Sequence, residues 1–455
     1  MEVTRTRAKF IVGHRAADVP QKVRHEAARS FLNWVGCAVG ASRHETVERA
    51  LAALNEFSGP REATVLGRGD RLDIMLAALM NGTTSHTFDF DDTHLKTIIH
   101  PSGPVASALL ALAERKPVKG GDFLHAFILG VETECRIGNA VYPSHYDVGW
   151  HITATAGVFG AAAAAGRLLE LSEQQMVWAL GIAATQSSGL REMFGTMVKP
   201  MHPGNAARNG LLAALLASKN FTSAEEGIEG RRAFANVLAT ERNLAEITDR
   251  LGETWEIALN TYKPFACGIV EHPAIDGCIQ LRNEHKLKPE DIESIALKVH
   301  PLVLELTGKR TPRTGLEGKF SVYHSCAVAF IHGAAGEAQY SDEAVRDPRV
   351  VALRDRVTAA VEKGVREDQV HVTIKLRNGK TLERYVEHAV GSLDRPMSDA
   401  DLEAKFRGLA NGILSKPETD KLIRLCWDVA KLKDAGEVAR ASVPARKIAM
   451  KRARA

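Results

Sequence analysis

Val158-Phe-Gly-Ala-Ala-Ala-Ala-Ala-Gly166 is the stretch that decides the fold. It carries no charge and no polar stripe, so as a helix it has no face to offer water and must be buried on all sides. Its small side chains let neighbouring helices approach closely, which places it at the centre of a helical bundle. The longer apolar run around it, Ile152 to Gly166, is too short to span a bilayer.

Working outward, the pattern from about Pro20 to Leu216 is helical: runs of Ala and Leu, apolar residues spaced by three and four, and few β-branched alternations. Ser172-Glu-Gln-Gln175 has the capping-box form, and Ser223-x-x-Glu226 repeats it as a second helix start. After about Asn260 the texture changes. Ile295 to His300 alternates, and Val370 to Val386 alternates on both sides of Asn378-Gly379, the signature of a β-hairpin. Helical segments Ser321 to Gly333 and Asp347 to Val361 lie between these strands. Helix returns after Pro396, with Ser398 capping Asp399 to Leu409 and a further helix over Lys416 to Lys431. The sequence therefore predicts a mainly α fold. A large all-α helical domain, residues 1–260 plus 394–455, carries an inserted smaller α+β lid domain, residues 261–393.

A chain of 455 residues exceeds one ordinary core, in keeping with two domains. With 45% hydrophobic and 25% charged residues it belongs with soluble globular proteins. The net charge is only +4. Much of the basic excess sits in Arg440, Arg446, Lys447, Lys451, Arg452 and Arg454, which reads as a solvated tail, so no nucleic acid partner is expected. The six cysteines are scattered without a C-x-x-C pair, which fits a reducing compartment. The N-terminus lacks an apolar signal region, so the expected location is cytoplasmic, with no membrane insertion. No P-loop, no G-x-G-x-x-G after a strand and no G-x-S-x-G elbow occurs, which removes nucleotide-dependent and serine-hydrolase mechanisms as first readings.

Two clusters could carry chemistry. His86-Thr-Phe-Asp-Phe-Asp-Asp-Thr-His94, followed by His100-Pro-Ser-Gly103, gathers three carboxylates and three imidazoles. Metal or diphosphate binding is one reading of it, but no second acidic cluster, H-E-x-x-H or Cys/His pair at ligand spacing exists to complete such a site. Taken singly, Asp89, Asp91 and Asp92 could equally cap a helix or pair with nearby bases. In the second cluster, Met197 to Arg208, Lys199, His202 and Arg208 stand at the mouth of a helix expected from about Asn205, where positive groups and free helix N–H groups favour anions. Separately, Lys199 reads as a surface lysine and Arg208 as an ion-pair partner. Further candidates are His151 at the head of the Ala/Gly helix, Lys263 and His272 at the domain switch, and Tyr323-His324 opening a second-domain helix.

Asp89-Phe-Asp-Asp-Thr93 with His100-Pro-Ser102, then Lys199-Pro-Met-His-Pro-Gly204, Lys263-Pro-Phe and Gly318-Lys-Phe-Ser321 together resemble the MmgE/PrpD family in order and spacing. The resemblance implies a helical domain with a smaller α+β lid, commonly a homodimer, and no metal or organic cofactor. It implies a cofactor-independent lyase on a small di- or tricarboxylate, dehydratase first and decarboxylase second. An epimerase of an imino dicarboxylate and a non-catalytic carboxylate-binding protein are the alternatives. Carried over by position, Asp89, Thr93 and His100 line the pocket, His151 and Lys199 join them, and Lys263 closes it from the lid hinge. His202, Arg208, His272, Tyr323 and His324 complete the substrate contacts. His100 or His151 moves the proton, Asp89 orients a neighbouring base, and Lys199 and Lys263 neutralise carboxylates. Two positions depart from the decarboxylase pattern. His324 stands where those members carry a Tyr, with Tyr323 one position earlier, and Cys267 stands where they carry a His.

Overall fold

The computed structural model describes residues 2–445, so Arg446, Lys447, Lys451, Arg452 and Arg454 of the basic tail lie outside the described residues. The Ala/Gly stretch is the middle of helix Ile152–Leu168, buried from Ile152 through Gly166. Helices Gly120–Val141, Ser102–Arg115 and Val198–Ala217 pack around it. Val198–Ala217 in turn crosses Ile74–His86 at a glycine pair. A Cβ on Gly204 would stand 2.1 Å from the Leu79 carbonyl oxygen, and one on Gly82 only 2.5 Å from Gly204 Cα. Only hydrogen fits there, and the close crossing is what sets the start of the one helix, with Lys199, beside the end of the other, with His86.

Local signals account for several boundaries. Asp73 Oδ1 accepts from the Met75 and Leu76 amides at 2.9 and 3.1 Å and starts Ile74–His86. Capping boxes at Ser172 and Ser398 start Glu173–Ala184 and Asp399–Ala410. Ser223, in contrast, starts no helix: its hydroxyl donates to the Trp178 carbonyl, and the next helix is Phe234–Leu238. Gly227 lies where a Cβ would meet Gly181 Cα at 2.6 Å, so packing overrides the capping signal. The helix expected from Asn205 starts at Val198. Pro200 sits in its first turn, where no backbone N–H is needed, and Pro203 is accommodated inside at the cost of one helix bond. A helix Val3–Gly13 precedes the predicted helical region, and three short strands lie within it: Ala63–Thr64, Arg71–Leu72 and Asp92–His94.

The predicted α+β region holds a four-stranded sheet ordered Val357–Val361, Ile292–Val299, Val370–Leu376, Thr381–Val386. The hairpin pairs Val370 with Val386 and Lys375 with Thr381, around Gly379 at φ 86°. The helix expected from Asp347 to Val361 stops at Arg354. Its β-branched end instead becomes a strand parallel to Ile292–Val299. Helices His272–His285 and Val322–His332 cover the sheet and share its apolar core. The C-terminal helices return: Leu402, Phe406, Leu422 and Ile423 share a core with Phe31, Trp34 and Phe127. A two-stranded ladder, Asp92–His94 against Asn260–Tyr262, ties the acidic loop to the segment just before Lys263.

If the Gly82–Gly204 crossing sets the helix spacing, Gly204→Val must separate the helices. Urea unfolding should show a loss of about 3 kcal/mol or more. A loss under about 0.5 kcal/mol would mean that the crossing tolerates a side chain.

Candidate active site

Helix Ile74–His86 ends on His86, and the chain turns through Phe88–Asp91 into the strand Asp92–His94. Asp89 takes that turn at φ 51°, in the left-handed region that Asp tolerates better than most residues. Its buried carboxylate bridges two lysines. Lys199 Nζ donates to Oδ2 at 2.7 Å, and Lys263 Nζ donates to Oδ1 and, at 3.1 Å, to the Asp89 carbonyl. Burial by itself would raise the Asp89 pKa, but Lys199 and Lys263 outweigh it and hold the carboxyl well below its ordinary range. Burial lowers Lys199 despite Asp89, whereas at Lys263 the attraction of Asp89 and Asp91 overcomes burial and raises the pKa. Lys199 Nζ also lies 5.3 Å from the Phe194 ring and 5.2 Å from the Phe320 ring, within cation–π range.

Opposite the lysines stand the imidazoles. His100 Nδ1 lies 2.8 Å from the Asp92 carbonyl oxygen and 3.2 Å from Thr93 Oγ1. A carbonyl can only accept, so the ring proton sits on Nδ1 and the lone pair on Nε2. His151 Nδ1 meets His202 Nδ1 at 2.8 Å. Behind both lies His86, whose Nδ1 is 2.7 Å from Asp91 Oδ2 and whose ring is 4.8 Å from His100 and 6.0 Å from His151. Burial pushes His100 down to about 3 and His202 to about 4, and lowers His86 and His151 as well. All four rings are therefore neutral at pH 7.

His100, His151, Asp89, Lys199 and Lys263 line one narrow slot of ≈ 30 Å³, walled otherwise by mostly apolar groups that include Tyr146, Phe194 and Phe320. The far-apart residues predicted for catalysis thus meet. Thr93 and His202 stand one layer back, each against an imidazole. The remaining candidates lie elsewhere. Arg208 donates to Asn205 Oδ1 at 2.6 Å on its own helix and stays out of the slot. The anion-binding helix start is also absent at Asn205, because that residue lies mid-helix, and the amides of Val198 and Lys199 are taken by Thr196. His272 lines a separate cleft of ≈ 630 Å³ that shares only the Ile98, Ile269 and Val270 wall with the slot. Tyr323 stacks under Arg310, 4.4 Å from Cζ to ring centre, and His324 donates to the Gln339 carbonyl at 2.9 Å, so both serve the α+β region.

Asp89 was expected to orient a neighbouring base, but the carboxylate that holds an imidazole is Asp91. The His86–Asp91 pair was missed within the quoted cluster, since nothing in linear spacing tells which Asp faces inward. Lys319, inside the Gly318-Lys-Phe-Ser321 motif, donates to the Phe88 and Ala266 carbonyls at 2.8 and 2.9 Å. Lys405, on helix Asp399–Ala410, donates to the Phe90 and Lys263 carbonyls. No signal in its surroundings singled it out.

Asp92 has the opposite character to its neighbours. Burial, reinforced by Asp91, raises it to about 7, although Ser102 and Asn260 donate to its Oδ2. The folded state keeps this proton between about pH 4 and 7 while the unfolded chain, with its ordinary value of 3.8, releases it. The contribution is therefore full below pH 4 and lost as pH rises through 7. Asp92→Asn removes the titration. Its stability relative to the parent should rise across that window, by as much as about 4 kcal/mol at pH 7. Urea unfolding of both proteins from pH 5 to 8 measures this, and parallel curves would place the charge elsewhere.

The chain matches the MmgE/PrpD N-terminal domain over residues 5–247 and the MmgE/PrpD C-terminal domain over residues 265–429. It is 29% identical to a cis-aconitate decarboxylase of Aspergillus terreus over 450 residues, covering 92% of this chain and 91% of that protein. With the cis-aconitate decarboxylase of Homo sapiens it shares 27% over 456 residues, 95% of this chain and 92% of the other. With the cis-aconitate decarboxylase-like protein oryM of Aspergillus oryzae it shares 26% over 464 residues, 96% and 95%. Two domain matches in the right order, spanning most of the sequence and the slot between its halves, establish that this chain belongs to the MmgE/PrpD family.

Proposed function

We propose that the chain is a cofactor-independent lyase acting on a small di- or tricarboxylate. Release of carbon dioxide from a cis-aconitate-like substrate is the first reading and loss of water from a 2-methylcitrate-like one the second. The observation that carries it is the convergence of neutral His100 and His151 with the ammonium groups of Lys199 and Lys263 on one slot. The full-length likeness to cis-aconitate decarboxylases favours carbon–carbon over carbon–oxygen cleavage. The proposal takes residues 1–260 and 394–455 as the helical domain and 261–393 as the lid of a cytoplasmic homodimer. Among the described residues no helix is long and apolar enough to cross a membrane.

In this mechanism Lys199 and Lys263 hold substrate carboxylates. When carbon dioxide leaves, its bonding electron pair stays on carbon and spreads toward the remaining carboxylate, where the ammonium charge stabilises it. His100, with its lone pair on Nε2, is the base of the set. In dehydration His100 takes the carbon-bound proton and an acid, His151 in its Nε2–H tautomer, protonates the departing hydroxyl; in decarboxylation no base is needed, and the same imidazole gives carbon the proton that replaces carbon dioxide and is reprotonated from solvent. A slot of ≈ 30 Å³ is too small for a tricarboxylate. The lid must therefore swing, parting Arg191 of the helical region from Glu305 of the lid, which are ion-paired at the rim, and closure then excludes water from the charges.

Incubation with cis-aconitate, 2-methylcitrate, citrate and iminodisuccinate in deuterated buffer tests the reading: carbon dioxide release is expected from the first. Deuterium uptake without mass loss would replace the lyase by an epimerase, and inertness to all four would leave a carboxylate-binding protein. For the active substrate, Lys199→Ala should lower kcat/KM by about 100-fold or more, with the thermal melt showing that the variant is folded. Because burial depresses His100 to about 3, the acid limb of kcat/KM should fall below about pH 5, not near the 6.5 of a free imidazole. A limb at 6.5 would take His100 out of the base role.

A further inference from the structure

The imidazoles carry a feature that acid–base catalysis leaves unused. His86 Nδ1 is held by Asp91, so its proton sits on that side and the Nε2 lone pair faces inward. That Nε2 is buried and, among the described residues, has no hydrogen-bond partner. His100 presents its own Nε2 lone pair for the same reason, its Nδ1 being engaged by the Asp92 carbonyl. His151 joins them in the tautomer that donates from Nδ1 to His202, which leaves its Nε2 lone pair free. The three rings offer one nitrogen each, all within 4.8 Å of one another. The buried His86 Nε2 lacks a donor, and acceptors converging beside it are better satisfied by an electrophile between them.

We propose that His86, His100 and His151 form a binding site for a divalent transition-metal ion of the zinc class. Three neutral imidazoles whose far nitrogens are each fixed by a carboxylate, a carbonyl or another ring make the ligand set such an ion takes, with its outer shell already in place. Closing to Zn–N bonds of about 2.1 Å asks the rings to move inward by roughly 1 Å. Lys199 and Lys263 face the same space and oppose a cation. Asp89, bridging both, and Asp91, behind His86, offset that charge. Asp89 is committed to the lysines, so the all-imidazole set is preferred over one that includes it. The ion takes the lone pairs that catalysis needs, so it acts as an inhibitor. That half rests on the lyase reading, while binding itself does not.

The full chain, stripped with EDTA, is titrated with Co2+ under visible absorption and with Zn2+ by calorimetry. One ion per chain is expected, with the d–d bands of a low-coordinate nitrogen site and a Zn2+ Kd of about 1 μM or tighter. His86→Ala should weaken Zn2+ by about 100-fold, and Asp91→Asn, which removes only the outer carboxylate, by about 10-fold. Thermal melts confirm folding of both. Absence of saturation up to about 1 mM, or affinity unchanged in both variants, as binding at the buried cysteines would give, overturns the proposal. If the protein turns over cis-aconitate, Zn2+ should abolish activity and EDTA restore it. Binding without inhibition would overturn the inhibitory half alone, and inertness to cis-aconitate without metal would count against the lyase reading and leave the titration standing.

Discussion

Four lysines from distant parts of the chain hold one loop. Lys319 donates to the Phe88 carbonyl, Lys199 and Lys263 to the Asp89 carboxylate, and Lys405 to the Phe90 carbonyl. The loop needs them. It is buried from Asp89 to Asp92 and Asp89 is left-handed, so a carbonyl there without a donor would be costly. An ammonium group at the end of a long flexible stem can reach a carbonyl from the far side of a domain boundary, and charge-assisted hydrogen bonds are the strong ones.

Once the loop is pinned, the alternation in Asp89-Phe-Asp-Asp does the rest. Phe90 turns into the apolar core shared with the α+β region, while Asp91 turns toward His86 and Asp92 enters the strand paired with Asn260–Tyr262. Adjacent carboxyls end in opposite states. Asp91 stays ionised because the neighbouring His86 and His100, the first through its Nδ1–H hydrogen bond, together with Lys263 outweigh its burial, whereas burial and the neighbouring charge of Asp91 keep Asp92 protonated up to about pH 7. Two buried negative charges side by side would repel, so the sequence Asp-Asp is tolerated only with this division.

The helical class, the hairpin at Asn378-Gly379 and the caps at Ser172 and Ser398 were legible because each rests on a local rule with a short reach. Failures came where packing across distance decides. Ser223 lost its cap to Trp178, Val357–Val361 was drawn into a sheet by a parallel neighbour, and the helix carrying Lys199 began before two prolines that read as a boundary. The family motifs brought out Asp89, His100, Lys199 and Lys263, which meet in the slot. Position in sequence could not say that Tyr323 and His324 lie on the far face of their helix, nor that Arg208 points along its own. Lys405 was illegible altogether, being one more polar residue on an amphipathic helix until its partners are known.

The reach of Lys405 has a consequence in time. Gly36 and Gly40 of helix Gln21–Gly40 are shaped to receive Phe406 and Leu409, which are made long after that helix. The chain must be made through Lys405 before the acidic turn can acquire its fourth ammonium partner, so until then the growing polypeptide carries that turn unpinned on one side. The pinned turn is therefore completed in one late step and not by degrees as the helices before it emerge.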